Sequence, residues 1–164
     1  MEPEPTTAAP SPSASPTVDV LTAPVRPAEM DRTDEVGAVA AGEYFLSLLE
    51  FSLNSGDVTE WDAISLPGCQ FCSGTRAAVV DAFANGGAFV GAEVVLTAPV
   101  EVLEYDPNIG VYALSLPFSI EPYEQLDAAG TVLRTVPAEQ GVVLFEVIPT
   151  AAGWLLSGAN MAVA

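Results

Sequence analysis

The sequence predicts an α+β domain in which three helices are followed by an antiparallel sheet. Apolar residues recur at helical spacing between residues 33 and 84, whereas from residue 89 onward they alternate with a period of two. Short turns rich in Pro, Gly, Asn and Asp separate the segments of the second half, and such turns join antiparallel neighbours. Helices first and strands afterwards is the α+β order, with the helices packed on one face of a curved sheet.

A segment with little capacity to fold precedes this domain. Residues 1–24 are mostly Pro, Ala, Ser and Thr, which offer too little apolar surface to offset the entropy of ordering. We expect a disordered tether over residues 1–24 and a folded domain over residues 25–164. The segment lacks a basic and then apolar leader, so either the protein is cytosolic or a signal peptide has been removed, and we favour removal.

Three helices account for the first half of the domain. Thr33 can cap a long amphipathic helix that ends at the turn around Gly56. Asp57 and Glu60 have the spacing of a capping box and predict a short second helix. A third helix is expected over about residues 75–84, ending at a pair of glycines.

Six strands account for the second half. Val, Leu, Ile, Phe and Tyr are enriched there, as is typical of strands, and turn residues interrupt them at regular intervals. The predicted strands cover about residues 89–97, 100–105, 111–120, 131–136, 140–148 and 154–162.

The charge balance excludes several classes of function. Twenty-two acidic residues accompany four arginines, with no lysine or histidine, and the formal net charge is −18. Such a surface repels phosphate backbones and anionic lipid headgroups, so we expect no nucleic-acid partner and no electrostatic docking to membranes. Without histidine or lysine, the usual general base, transition-metal ligand and Schiff-base amine are missing, and we assign no catalytic residue, metal or cofactor.

No apolar run has both the length and the lack of charge that a membrane span needs. The richest stretch, residues 36–53, is interrupted by Glu43 and Glu50. The domain is therefore expected to meet a membrane only through an anchor.

Cys69 and Cys72 are expected to form a short structural disulfide between the second and third helices. At this spacing the two Cα atoms can approach the 4.4–6.8 Å that a disulfide needs. A thioredoxin-like redox pair would normally follow a strand in a βαβ pattern, which is missing here, and a zinc site would need two further ligands. Free thiols are the remaining alternative.

Four apolar residues on the predicted helices are candidates for lining a pocket between the first helix and the sheet. They are Tyr44, Leu48, Trp61 and Phe83. Plain packing in the core explains their positions equally well, and the sequence leaves both interpretations open.

The chain resembles the NTF2-like (cystatin-like) α+β cone. The resemblance is carried by a long helix closing with "YFLSLLEFSLNSGD", two further helices, and a sheet ending in "GWLLSG". More closely, "RPAEMDRTDEVGAVAAGEYFLSLLEFSLNSGD", "CQFC" and "GGAFVGAEVVL" look like an actinobacterial family of secreted lipoproteins of unknown function. This resemblance covers residue 26 to about residue 164. It implies an upstream lipobox cysteine and a mature protein lipid-anchored to the outer face of the cell membrane.

The leading functional hypothesis is a non-enzymatic envelope domain that binds a protein partner or a small apolar ligand. NTF2-like relatives include isomerases and dehydratases that use an acid and a tyrosine, but no specific pair here matches those positions. The enzymatic alternative is an isomerase or hydrolase with a buried carboxylate, Asp57 or Glu43, and Tyr44. The other alternative is a purely structural assembly subunit that forms a homodimer through the sheet.

Overall fold

The computed structural model describes residues 21–163. Most of the predicted tether therefore lies outside the described residues, with the exception of residues 21–24. Within residues 21–24, Leu21, Thr22 and Pro24 line a small pocket together with the second half of the first long helix.

The helices occupy the first half of the domain, as predicted. They are a 3₁₀ turn at Ala28–Asp31, α1 at Glu35–Ser55, α2 at Thr59–Ile64, α3 at Gln70–Phe83 and a second 3₁₀ turn at Ala84–Gly86.

The cap of α1 lies one residue later than predicted. Asp34, rather than Thr33, is the N-cap, and its carboxylate accepts a hydrogen bond from the Gly37 amide at 3.4 Å. The Thr33 carbonyl accepts instead from the Tyr112 hydroxyl at 3.1 Å, which ties the start of α1 to the sheet. At the other end, Gly56 takes the left-handed conformation (φ 75°) that favours glycine.

The capping box predicted for α2 is not formed, because Val58 rather than Asp57 is the N-cap and it makes no side-chain capping hydrogen bond. Asp57 lies one residue before the cap and accepts from the Thr59 amide at 2.9 Å. Its own amide, however, donates to the Ser55 hydroxyl at 3.0 Å, so that Glu60 is not needed to satisfy it. A serine in the preceding turn has taken the role that the sequence pattern assigned to Glu60.

Eight strands form two antiparallel sheets. They are β1 at Ala88–Val90, β2 at Val94–Leu96, β3 at Glu101–Asp106, β4 at Val111–Ile120, β5 at Tyr123–Leu126, β6 at Val132–Val136, β7 at Glu139–Thr150 and β8 at Gly153–Val163. The large sheet has the order β2-β4-β7-β8, with β3 pairing the same edge of β4 further along, and the small sheet has the order β1-β5-β6. The α+β prediction is confirmed.

Two strand predictions are wrong, and both errors concern the small sheet. The single strand predicted at 89–97 is split at Gly91, whose φ of 93° turns the chain so that β1 joins the small sheet and β2 the large one. Strand β5 was missed because its four residues include Glu124 and Gln125 and give no apolar alternation. The other five predicted strands agree with the structure to within a few residues.

The core lies between α1 and the inner face of the large sheet. Side chains along β4 alternate strictly between buried and partly exposed, so that one face is turned to the helices. The helix approaches closely at Gly42, where an added Cβ would lie 2.8 Å from the Leu114 Cδ1 atom. The fully buried residues include Phe45, Leu48, Trp61, Leu114, Leu116, Phe118, Val143, Phe145, Val147 and Leu156.

Helix α1 is long and apolar enough to cross a membrane by length and composition alone, the one such helix among residues 21–163. The exclusion drawn from Glu43 and Glu50 is therefore too strict as a statement about composition. In the folded domain, 61% of its most apolar window is buried. This burial is expected of a core helix, since core helices also pass a test of length and composition.

Candidate functional site

The disulfide between Cys69 and Cys72 lies in the first turn of α3. Cys69 is the N-cap of that helix, and its Sγ accepts from the Cys72 amide at 3.2 Å. The Cα atoms are 5.3 Å apart and both residues are buried. Cys69 lies between α2 and α3 as predicted, whereas Cys72 lies within α3, because that helix begins five residues earlier than expected. The corner between α2 and α3 is held instead by the Trp61 indole, which donates to the Cys72 carbonyl at 3.0 Å.

The burial of both sulfurs also bears on the alternatives to a structural bridge. A redox pair needs at least one sulfur that an incoming thiolate can reach, and neither sulfur is accessible here. The described part of the chain contains no group of three or more Cys, Asp or Glu side chains that could hold a metal ion.

The four candidate pocket residues are divided between two places. Tyr44, Leu48 and Trp61 belong to the core cluster between α1 and the large sheet. Phe83 lies at the end of α3, against Gly56 and edge-to-face with Phe89 of the small sheet. None of the four lines any of the five depressions described on residues 21–163.

Neither carboxylate of the enzymatic alternative is buried. Glu43 lies on the exposed side of α1, and Asp57 is exposed in the turn before α2. Hydrogen bonds from the Thr59 side chain and amide lower the pKa of Asp57. A general acid at neutral pH needs the opposite shift, usually from burial. The structure thus contradicts the buried carboxylate that this hypothesis requires.

Glu50 is the carboxylate whose environment is unusual, and sequence reasoning did not select it. Partial burial raises its pKa, and the nearby Glu93 carboxylate raises it further. The available signal was its interruption of the apolar run on α1. The Ser47 hydroxyl beside Glu50 donates to the Glu43 carbonyl at 3.1 Å.

The largest described depression is an open groove of about 600 Å³ between the start of α1 and the start of β3. We call it the valine groove. It is lined by Val36, Val39, Val100 and Val102, with Glu35 and Glu101 beside them. Val36 and Val39 are three residues apart on α1, so they share one face of the helix. Val100 and Val102 are two residues apart in extended chain, so they also point to one side. Val36 is 48% exposed, whereas Val100 is buried.

A strip of carboxylates continues from the valine groove across the outer face of the large sheet. Glu101, Glu104 and Asp106 pair with Ser115, Ala113 and Val111 of β4, all on the face turned away from the helices. Glu146 of β7 pairs with Ala113 and so adds a fourth carboxylate to the same face. We call these four residues the acidic strip.

No described cation neutralises the acidic strip. The ion pairs among residues 21–163 join Arg26 to Asp31, Arg32 to Asp34 and Arg76 to Asp62. The remaining arginine, Arg134, lies on β6 of the small sheet. The strip meets the valine groove at Glu101, while its other members lie on the opposite face of the large sheet from Val102.

Solved structures with a similar fold span most of the chain at low identity. The intermembrane-space region of the chloroplast protein ARC6 matches with a TM-score of 0.58 and 10% identity, over 81% of this chain and 99% of that one. An uncharacterized protein with a cystatin-like fold from Caulobacter vibrioides matches with a TM-score of 0.48 and 14% identity, over 82% and 90%. At these identities the likeness to the ARC6 region shows the fold alone.

No curated protein matches the chain. A sequence family, in contrast, matches most of it, from residue 8 to residue 142. The chain belongs to this family of unknown function, DUF6318.

Proposed function

We propose that this protein is a non-enzymatic domain, tethered outside the cell, that binds a protein partner at its surface. The observation that carries the proposal is the contrast between a filled interior and the open valine groove. An enclosed apolar ligand or substrate needs an internal cavity, whereas a protein partner needs exposed apolar surface with polar groups around it.

The interior supports this choice. Phe45, Trp61, Phe118 and Phe145 are fully buried in the core between the helices and the large sheet, where a ligand of the cone would have to lie. The carboxylates expected to act with Tyr44 are on the surface. Protein binding therefore accounts for the described surface better than enclosure of a small molecule does.

An extracytoplasmic location is supported by the tether composition and by the disulfide. Buried disulfides persist in oxidising compartments and are rare in the cytosol. Residues 21–24 meet α1 near Glu50, and Val36 lies fourteen residues earlier on that helix, about 21 Å away at 1.5 Å per residue. Residues 21–24 therefore meet α1 towards its end opposite the valine groove.

The location can be tested in a bacterium that carries the gene. The complete gene would be expressed with an epitope tag, and intact cells would then be treated with protease. The protease should degrade the domain. Incorporation of a labelled fatty acid would support the lipid anchor that the sequence resemblance implies. Protection from protease in intact cells would contradict the proposed location.

The binding function is tested by site-specific photo-crosslinking in the same cells. A benzophenone amino acid at Val36 should give an adduct with a partner, and the same residue at Val80 should not. Val80 is a matched control because it is also an exposed valine on a helix, 39% exposed, but lies outside the groove. Equal adducts at both positions, or none at either, would contradict the proposal. Native mass spectrometry of the purified protein should show no bound small molecule.

The predicted homodimer through the sheet can be tested separately. Leu144 is exposed on the outer face of β7, which favours association, but the acidic strip on the same face opposes it because two copies would bring like charges together. Light scattering at low and high salt measures the result. We expect a monomer at low salt.

A further inference from the structure

We propose, resting on the function above, that the valine groove binds an extended segment of a partner protein in which an apolar side chain is flanked by Lys or Arg. The groove supplies the apolar contact, and the carboxylates around it select the charge. The inference goes beyond the proposed function because it names the chemistry of the partner's contact segment.

The shape of the groove suits one inserted side chain. Val39, Val100 and Val102 form its floor, since they are buried or partly buried and pack with the core. Val36 stands at its rim and is exposed. A volume of about 600 Å³, open to solvent, fits a large apolar side chain together with the adjoining backbone of an extended segment.

The charges around the groove select a cationic segment. Glu35 and Glu101 both line it. The nearest cation along the chain, Arg32, is already paired with Asp34. Glu35 outweighs the partial positive charge of the α1 N-terminus, which is equivalent to about half an elementary charge. An acidic segment, including a second copy of this strongly negative chain, would be repelled.

Side-chain contacts, rather than strand addition, are expected to carry the binding. Strand β3 is an edge of the large sheet, and residues 21–163 provide no strand that pairs its outer side. The other edge, β8, is bridged by Ser65 and by a hydrogen bond from the Leu66 amide to Leu156. However, β3 has a bulge at Leu103 and several carboxylates, the two features by which edge strands resist further pairing.

A peptide titration tests the proposed chemistry directly. Three short synthetic peptides would be added to the full chain labelled with ¹⁵N: Lys-Arg-Val-Leu-Val-Arg-Lys, its acidic counterpart Glu-Asp-Val-Leu-Val-Asp-Glu, and the basic but polar Lys-Arg-Ser-Gly-Ser-Arg-Lys. The first peptide should shift amide resonances over residues 35–39 and 100–104, and added salt should weaken its binding. Equal shifts from the acidic or the polar peptide, shifts elsewhere, or none with the first peptide at millimolar concentration would overturn the inference.

Substitutions with matched controls sharpen the assignment. Glu35→Gln and Glu101→Gln should each lower the affinity for the basic apolar peptide by about two- to fivefold at low salt, as expected for exposed charge pairs. Glu43→Gln is the control, since Glu43 is exposed on α1 outside the groove. Val36→Ser should weaken binding by about threefold or more through lost apolar contact, whereas Val80→Ser should leave it unchanged. If a control substitution weakens binding as much as the groove substitution that it is matched to, the assignment is overturned.

The crosslinked segment from the cellular experiment separates the inference from the proposed function. If the adduct at Val36 maps to a partner segment with Lys or Arg beside an apolar residue, the inference is supported. If it maps to a neutral or acidic segment, to a second copy of the chain or to residues 1–20 of the same chain, the inference fails. Of these outcomes, only an adduct with a neutral or acidic segment of a partner protein would be compatible with the proposed function.

Discussion

The two sheets of this domain differ in how much of their surface is buried. In the large sheet, β4 and β7 bury alternate side chains completely under α1. In the small sheet, Val136 is the one buried residue on the described strands, and Leu133 of β6 is 61% exposed. Because apolar burial is the main favourable contribution to folding, the stability of the domain should come from the large sheet.

The small sheet is attached to the helices through aromatic rings. Phe83 of α3 meets Phe89 of β1 edge-to-face, with ring centroids 6.3 Å apart. Phe89 in turn meets Tyr123 of β5 at 5.7 Å. This chain of three rings is expected to hold a sheet that buries little surface of its own, and it makes the small sheet sensitive to changes around Phe83.

The largest difference in stability is expected when a buried side chain of the large sheet and an exposed side chain of the small sheet are each truncated. Phe145→Ala on β7 should lower the free energy of unfolding by about 3–5 kcal/mol, through lost burial and the cavity left behind. Leu133→Ala on β6 should change it by less than about 0.5 kcal/mol. Urea unfolding followed by circular dichroism measures both. Similar losses from the two variants would show that the small sheet contributes to the core.

A second comparison uses two glycines with similar backbone angles but different surroundings. At Gly56 (φ 75°), a Cβ would lie 2.5 Å from the Phe83 ring, whereas at Gly110 (φ 70°) it would meet nothing within 4 Å. Gly110→Ala should cost only the backbone strain, about 1–2 kcal/mol. Gly56→Ala adds overpacking and should cost about 2–4 kcal/mol.

The same pair of variants tests the attachment of the small sheet. Hydrogen exchange should rise in β1 and β5 for Gly56→Ala, because Phe83 must move away from Phe89. It should stay unchanged there for Gly110→Ala. Unchanged exchange in both variants would mean that the aromatic rings do not hold the small sheet.

Reduction of the disulfide should have a smaller and more local effect. A bridge that closes so short a loop contributes about 2 kcal/mol in the chain-entropy description. Replacing both Cys69 and Cys72 with Ser should therefore loosen the first turn of α3 and leave both sheets folded. Thermal melts of the double variant and of the native chain provide the measurement. A fall in the melting temperature of tens of degrees would contradict this local role.

The smallest effects are expected from two carboxylates with opposite pKa shifts. The hydrogen bond from Arg32 lowers the pKa of Asp34 to about 2. This stabilisation is present above the ordinary aspartate pKa near 4 and is lost as the pH falls towards about 2. Asp34→Asn should therefore destabilise the domain at neutral pH and have progressively less effect in acid. Urea midpoints measured across this range test the sign.

Glu50 should behave in the opposite way. Because burial and Glu93 raise its pKa in the folded state, its contribution to stability falls as the pH rises past the ordinary glutamate pKa of about 4.3. Glu50→Gln should stabilise the domain near neutral pH, and the gain should disappear in acid. Glu43→Gln, at an exposed position on the same helix, is the control and should have little effect at either pH. If the gain in stability persists in acid, burial of the Glu50 charge is not its cause.

The elements that could be predicted from sequence are those whose local pattern and tertiary role agree. Helix α1 and strands β4, β7 and β8 have long periodic apolar patterns, and the structure buries the same faces that the patterns mark. The errors fall where the pattern is short or polar. Strand β5 and the break at Gly91 depend on pairing between distant segments, which local propensity does not encode.

The candidate site shows the same limit. The valine groove joins residues of α1 and β3 that are some sixty positions apart in sequence, and each pair of valines alone looks like ordinary core. The acidic strip required the pairing register of β3 with β4 and of β4 with β7. Conversely, Tyr44, Leu48 and Trp61 had the pattern of either a pocket or a core, and the structure places them in the core cluster.

The α+β order, the spacing that allows the Cys69–Cys72 bridge and a net charge that disfavours anionic partners can all be predicted from the sequence. These properties follow from composition and short-range periodicity. The folded chain is needed to show that there are two sheets of unequal burial, that large aromatic side chains fill the core, and that an apolar groove opens beside Glu35 and Glu101. The physical reason is that burial and surface potential depend on which distant segments meet, and that is settled by packing of the whole chain.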